Sequence, residues 1–314
     1  MTALYLSEHD VESLLSPADA LEAIEQSFLR LARGSVDNRP RTRLPFEEGT
    51  LAVMTCADRE LGYAGLKSYA ASASGTSFVV LLFAVEAPTH LAAVIEADKL
   101  GQLRTGAASG VAARHLAREG ASTLGVIGCG WQAASQIACI RQAVPTIETV
   151  KVHCRNAERL VQFCRANDAA PAESHREAAD ADIVVTVTTS KDPVVRGEWL
   201  REGALVCAVG ANVSSRRELD NAVLERAAFV CCDSREQARG ESGDLIEPAE
   251  RGVLDWLEVY ELQDVVSGEV VGRAAPEDIV VFKSNGIAAW DLAAAARVLE
   301  LAGERGIGRE LQAA

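Results

Sequence analysis

Two patterns of hydrophobic and polar positions follow one another along the chain. Between Asp10 and Ala32, the residues Leu14, Leu15, Leu21, Ile24, Phe28 and Leu31 recur at helical spacing, and Ser16-Pro17 interrupts them as a cap followed by a first-turn proline. Two helices are therefore predicted. The runs "RPRTRLPF", "GTLAVMTCAD", "YAGLKSYA" and "TSFVVLLFAV" follow, short, β-rich and punctuated by glycine, and Ala87-Pro88-Thr89 turns the last into "LAAVIEA". They read as an antiparallel meander. After a predicted helix through "LRTGAASGVAARHLAREG", continuous apolar runs alternate with helical segments: "TLGVIG", "TVKVHCR", "DIVVTVTT", "ALVCAVGA" and "AFVCCD". Buried strands separated by helices are the mark of a parallel sheet covered on both faces. A last strand, "DIVVFKSNG", leads into the Ala-rich helix "IAAWDLAAAARVLELAGERG", which can return to the first part of the chain.

The fold class is thus α/β, a Rossmann-type dinucleotide-binding domain over residues 120–286 beside an α+β domain over 1–119, the latter completed by the C-terminal helix, 287–314. The stretch "TLGVIGCGWQAASQIACI" contains Gly128-x-Gly130-x-x-Ala133 between a predicted strand and a predicted helix. Tight packing of small residues is one explanation of that pattern, but its place in a βαβ unit favours a dinucleotide diphosphate. Gly128 would permit the turn, Gly130 would let the backbone approach the diphosphate, and Trp131 and Gln132 would open the helix with free N–H groups. At the end of the next strand stand Cys154, Arg155 and Asn156, with no carboxylate for the ribose hydroxyls, so NADP(H) is favoured and NAD(H) remains possible. The following strand ends bring Thr186, Thr188, Val209, Gly210 and Asn212 to the expected nicotinamide side.

Composition adjusts this picture by exclusion. A formal charge of −14 at pH 7 and the lack of a basic, aromatic-flanked stripe argue against nucleic acid. No apolar run reaches the roughly 18 uncharged residues of a membrane span, and the N-terminus is acidic where a signal peptide is basic. The eight cysteines form no CxxC pair and lie mostly in apolar segments. They read as buried thiols without metal, in a cytoplasmic protein.

The first domain supplies unusual cations: Arg39, Arg41 and Arg43 around a proline, Lys67 inside an apolar run, and Arg104 opening "LRTGAASG". A lysine among alternating apolar neighbours either snorkels to solvent or serves chemistry, since burial lowers its pKa and suits it to proton transfer. The runs "RPRTRLPF", "GYAGLKSYA", "VVLLFAVEAPTHLAAVIEADKLGQLRTGAASGVAARHLA", "GVIGCGWQA", "ADIVVTVTTSKDPVV", "AVGANVSSRRELD", "ESGDL" and "VFKSNGIAAWD" together resemble the ornithine cyclodeaminase/mu-crystallin family over nearly the whole chain. The resemblance implies a substrate and dimerisation domain beside a Rossmann domain, usually as a homodimer. It implies an amino- or imino-acid carboxylate bound by Arg41 and Arg104, with Lys67 and Asn285 at the substrate. Its cofactor contacts would fall on Trp131, Gln132, Arg155, Asn156, Thr188, Val209, Arg216 and Ser284.

One departure directs the choice of reaction. Cyclodeaminases carry an Asp at the position of Asn212, and an amide neither ionises nor takes up a proton near pH 7. Lys67 and Asn212 are the candidate catalytic residues, and the reading is an NAD(P)H-dependent oxidoreductase on the C–N bond of a small 2-imino or 2-amino acid. The alternatives are a cyclodeaminase of ornithine or lysine type and a non-catalytic NADPH or small-ligand binder of the mu-crystallin kind. The segment "SYAASASGTSF" after Lys67 carries none of the bulky residues a large ligand requires, which points to a small substrate. The run "FVVLLFAV", whose edge would be an aggregation hazard if bare, points to a homodimer through the first domain's sheet.

Overall fold

The computed structural model describes residues 3–87 and 90–311. The turn expected at Ala87-Pro88-Thr89 lies partly outside the described residues, as do positions 312–314. In chain order the elements are β1 (Ala3–Leu6), α1 (Glu8–Leu14), α2 (Pro17–Ala32), β2 (Val36–Asn38), β3 (Thr42–Phe46), β4 (Gly49–Asp58), β5 (Tyr63–Ser72), β6 (Gly75–Ala84), β7 (Leu91–Glu96) and α3 (Asp98–Leu116). There follow β8 (Thr123–Ile127), α4 (Trp131–Ala143), β9 (Thr149–His153), α5 (Ala157–Ala166), β10 (Ala170–Pro171), α6 (His175–Ala179), β11 (Ile183–Thr186), β12 (Leu205–Ala208) and α7 (Asn221–Arg226). The chain ends through β13 (Ala227–Cys232), α8 (Arg235–Glu241), α9 (Gly243–Glu250), β14 (Val259–Glu261), α10 (Leu262–Val266), β15 (Ile279–Lys283), α11 (Ala288–Arg305) and β16 (Arg309–Leu311).

Two compact units divide the chain, residues 1–104 with 287–314, and residues 105–286. The division falls inside α3, whereas the sequence reading starts the dinucleotide domain at residue 120, beside its first strand. In the first unit, α1 and α2 open on reciprocal capping boxes, Ser7 with Asp10 and Ser16 with Asp19, and Pro17 takes the first turn of α2. That local chemistry splits the helical run at the expected place. The sheet runs β16-β1-β7-β6-β5-β4-β2, with β3 also on β4, and β4 to β7 form an antiparallel meander. Because β6 is hydrogen-bonded to β5 and to β7, it has no bare edge. The dimer argument drawn from the edge of "FVVLLFAV" is thereby corrected: its hydrophobicity serves an interior strand.

Register places Met54, Lys67, Val80, Ile95 and Leu6 in one row across the sheet. All five are buried, and α11 packs against β4, β5 and β6. A lysine therefore sits in a row that is otherwise apolar. Phe28 of α2 meets Trp290 of α11 edge to face, with ring centroids 5.4 Å apart.

The second unit is a sheet of order β10-β9-β8-β11-β12-β15-β13-β14, with every pairing parallel. From β8 the chain moves outward to β9 and β10, then returns past β8 to β11 and β12. The order reverses between β8 and β11, and ligands of such sheets bind outside the carboxyl ends at that point. The α/β class and the Rossmann-type domain are as the sequence pattern predicts.

Candidate functional site

Lys67 lies at the centre of β5 and is only 3% exposed. Its Nζ donates to Asp291 Oδ1 at 2.9 Å, and Arg104 Nε donates to the same oxygen at 3.0 Å. Asp291 reaches them from the first turn of α11, fully buried. Arg41, just before β3, donates through Nε to Met54 Sδ at 3.3 Å and adds its field to that felt by Lys67. Two cations thus share the Asp291 carboxylate, with Arg41 close enough to be felt by Lys67, a concentration of positive charge that suits an anion. Burial is the largest influence on Lys67 and brings its pKa down to about 8; Asp291 opposes that shift, while Arg104 and Arg41 reinforce it.

Two neighbours complete this group. The ring of Phe78 lies 5.1 Å from Lys67 Nζ, so the segment read as free of bulky side chains does place an aromatic wall against the lysine. Gly101, in the first turn of α3, makes room for the ammonium: a Cβ there would come within 2.9 Å of Nζ.

The dinucleotide turn belongs to the second unit. Gly128 has φ +116°, and a Cβ on it would lie 2.4 Å from Val187 O, so the fold itself requires glycine there. Gly130 differs. Its φ of −84° and ψ of −173° are ordinary extended backbone, and a Cβ would meet no protein atom within 4 Å. Nothing among the described residues demands that glycine, and a diphosphate lying against the backbone would. No side chain on Gly130 caps α4, which opens with the exposed Trp131 and the half-buried Gln132.

Beyond β9, Arg155 is exposed, and Asn156 caps α5 by accepting the Arg159 N–H at 2.8 Å. His153 and His175 meet edge to face, 4.7 Å between centroids. Burial, His153 and Arg155 push the His175 pKa down. Basic groups therefore gather past the carboxyl end of β9, the position that faces the adenosine half of the ligand in dinucleotide-binding sheets of this order.

The carboxyl ends of β11 and β12 are tied by Glu218, a wholly buried side chain. It accepts Thr186 Oγ1 at 3.0 Å, Thr188 N and Oγ1 each at 2.7 Å, Gly210 N at 2.7 Å and Ala211 N at 3.1 Å. Its pKa is raised, chiefly by burial and then by Asp244. Asp244 accepts the Glu218 and Leu219 N–H groups at 2.6 and 2.9 Å, and Lys283 Nζ stands 3.0 Å from its other oxygen. Val209 N donates to Thr186 O at 2.9 Å, and Arg216 N to Val213 O at 3.1 Å. Asn212 is half-buried in the same loop. Past β15, Asp233 Oδ2 accepts Asn285 N and Gly286 N, each at 2.6 Å, and Ser284 Oγ lies 3.5 Å from it. Burial raises the Asp233 pKa to about 6 against those hydrogen bonds.

Of the residues expected at the site, Arg41, Lys67 and Arg104 come together in the first unit. The glycine turn, Trp131, Gln132, Arg155, Asn156, Thr188, Val209, Asn212, Arg216, Ser284 and Asn285 belong to the second. Asp291 went unnoticed in the sequence, although a lone acid inside "AAWDLAAAA" was a signal. Glu218, Asp244, Lys283 and Asp233 carried none, because their roles arise from strands distant in sequence.

The reading of all eight cysteines as thiols is overturned at one pair. Cys129 and Cys154 form a disulfide with Cα atoms 5.8 Å apart, while the other six are free and buried. The cause is strand pairing: Ile127 of β8 lies beside His153 of β9, so the residues just past both strand ends converge across 25 positions of sequence. Among the described residues no group of three or more His, Cys, Asp or Glu side chains could hold a metal ion. No described helix is long and apolar enough to cross a membrane.

The family model for the ornithine cyclodeaminase/mu-crystallin family matches residues 1–306. The chain belongs to that family. It is 34% identical over 322 aligned residues to an alanine dehydrogenase of Archaeoglobus fulgidus, an alignment covering 99% of each chain. The structure of the Thermococcus litoralis Delta(1)-pyrroline-2-carboxylate reductase, in complex with NADH and L-proline, superposes with a TM-score of 0.92 at 31% identity, covering 98% of this chain and 100% of that one. An archaeal alanine dehydrogenase dimer with bound NAD gives a TM-score of 0.93 at 32% identity over 99% of both chains. Family membership rests on nearly the full length of the chain, in both units.

Proposed function

We propose that this chain is an NAD(P)H-dependent oxidoreductase of the C–N bond, reducing a small 2-imino acid to the 2-amino acid or running the reverse oxidation. The observation that carries this reading is the buried lysine with a pKa near 8, held by Asp291 among Arg104 and Arg41. The two guanidiniums clamp the substrate carboxylate, since planar forks suit it. Lys67 stands as the proton donor to the imine nitrogen, and in the oxidative sense the neutral amine takes that proton back. Asp291 orients both cations and keeps the ammonium form populated at neutral pH. A nicotinamide, when bound, supplies or accepts the hydride. The chain's own contribution is orientation, charge complementarity and proton management.

The relatives support the substrate class: an alanine dehydrogenase and a pyrroline-2-carboxylate reductase both bear the names of enzymes of small 2-amino or 2-imino acids. The amide of Asn212 weighs against a cyclodeaminase. The dinucleotide occupies the second unit, with Gly130 against its diphosphate. NADP(H) is the preferred form, on the strength of Arg155 beside His153 and His175 and of the missing carboxylate after β9. The dimer with bound NAD supports a homodimer and a nicotinamide cofactor here.

The test is absorbance at the nicotinamide band, with cyclic imine carboxylates and with 2-oxo acids plus ammonia or methylamine in the forward sense, and with L-amino acids in reverse. Stoichiometric NAD(P)H consumption by an imino acid is expected. Ammonia release from ornithine or lysine without net consumption would instead establish a cyclodeaminase, and no turnover with any of these would leave a binder.

A further inference from the structure

The disulfide stands inside the dinucleotide motif. Cys129 is the residue between Gly128 and Gly130, and Cys154 immediately follows β9, ahead of Arg155. In a sheet of this order the carboxyl ends of the first two strands flank the adenosine half of the ligand: the turn meets the diphosphate and the loop after the second strand meets the ribose. We propose that Cys129 and Cys154 are a thiol–disulfide modification site that sets dinucleotide affinity, tight when reduced and weak when oxidised. The proposal rests on the dinucleotide reading of this turn.

Three observations support it. Six free, buried cysteines beside a single disulfide are not a structural disulfide framework, and Cys56, Cys139 and Cys207 have thiols pushed up to about 12 by burial, which keeps them inert. Cys129 and Cys154 instead stand at the carboxyl ends of β8 and β9, just ahead of α4 and α5, and Arg155 adjoins Cys154. Cys154 is also half-buried rather than enclosed, so a small reagent can reach it. The bridge, once formed, fixes the separation of two segments that must close on different groups of one ligand.

The chemistry balances with a low-molecular-weight disulfide as oxidant. The Cys154 thiolate attacks one sulfur of the small disulfide, whose S–S bond breaks and releases one thiol. Cys129 then attacks Cys154 Sγ in the mixed disulfide, forming the internal bond and releasing the second thiol. Two protein thiols are oxidised and one small disulfide is reduced to two thiols; a dithiol reductant reverses the exchange.

The experiment uses the full chain, treated with a phosphine reductant or with glutathione disulfide. Mass after alkylation reports the thiol count, and nicotinamide fluorescence titration reports NADPH and NADH affinity. The reduced protein should carry two more alkylated cysteines and bind about tenfold more tightly, the value of one lost hydrogen bond to the ligand. In Cys154→Ser, titrated after both treatments, affinity should no longer respond to the oxidant, whereas Cys129→Ser keeps the attacking thiol and should stop at the mixed disulfide, read as one added glutathione by mass. Equal affinities in the two wild-type forms, tighter binding by the oxidised form, or a response that survives in Cys154→Ser would overturn the proposal while leaving the cofactor reading intact. Failure of the reduced protein to bind either nucleotide would overturn both.

Discussion

Lys67 sits where the sheet register should hold an aliphatic side chain, and its charge is tolerated because Asp291 Oδ1 lies 2.9 Å away. The pKa near 8 assigns opposite pH dependences to the two directions of reaction. Reduction needs the ammonium, so kcat/KM should be level below about pH 8 and fall above it; oxidation needs the amine and should rise through the same point. Asp291 raises that pKa, so Asp291→Asn should move the break to lower pH, and an unmoved profile would show another group titrating. Lys67→Met keeps the stem and removes the charge; kcat should fall by about two orders of magnitude or more, with dinucleotide affinity retained. Gly101→Ala tests position rather than charge. Alanine favours a helix by about 1 kcal/mol over glycine, so thermal stability should hold or rise while the displaced ammonium lowers kcat. Parallel losses of Tm and kcat would make Gly101 a packing residue only. The sequence could flag Lys67, a charge in an apolar strand, but not Gly101, whose partner is thirty-four positions earlier in the chain.

Elements were legible where one local rule decided them. The cap and first-turn proline at Ser16-Pro17, the alternation of apolar strands with helices, and the glycine turn after β8 all fold as their pattern dictates. What could not be read was contact between elements. The disulfide needs the pairing of β8 with β9, and the Glu218 network needs the ends of β11 and β12 side by side. The motif assigns the two glycines of the turn different roles, and their backbones differ accordingly: Gly128 is required by its own φ, and Gly130 is not. Gly130→Ala should therefore leave Tm unchanged and weaken NAD(P)H binding about tenfold or more, read by fluorescence titration. Unchanged affinity would return the motif to packing. Glu218→Gln should act on stability. An amide nitrogen replaces an oxygen that faces backbone donors, which leaves at least one buried N–H unpaired and costs about 1–3 kcal/mol in denaturant unfolding.

At the scale of the whole molecule, the first unit's sheet has two unlike faces. One carries the buried row through Met54, Lys67 and Val80 beneath α11. On the other, register aligns Leu66 with Leu81 and Val94, and these apolar side chains are only partly buried. Side chains alternate along a strand, so this second row is fixed by the first. We propose that this apolar row on a central part of the sheet is covered by a second copy of the chain, a reading supported by the dimer of the archaeal alanine dehydrogenase. Light scattering at micromolar concentration should then give a dimer. Leu81→Glu should give a monomer, because a symmetric contact brings both introduced carboxylates to the same patch, where burying them without partners is costly. Leu81→Met, which preserves volume and hydrophobicity, should remain dimeric. A monomeric wild-type chain, or a Leu81→Glu variant that stays dimeric with unchanged dissociation, would remove this face from the interface.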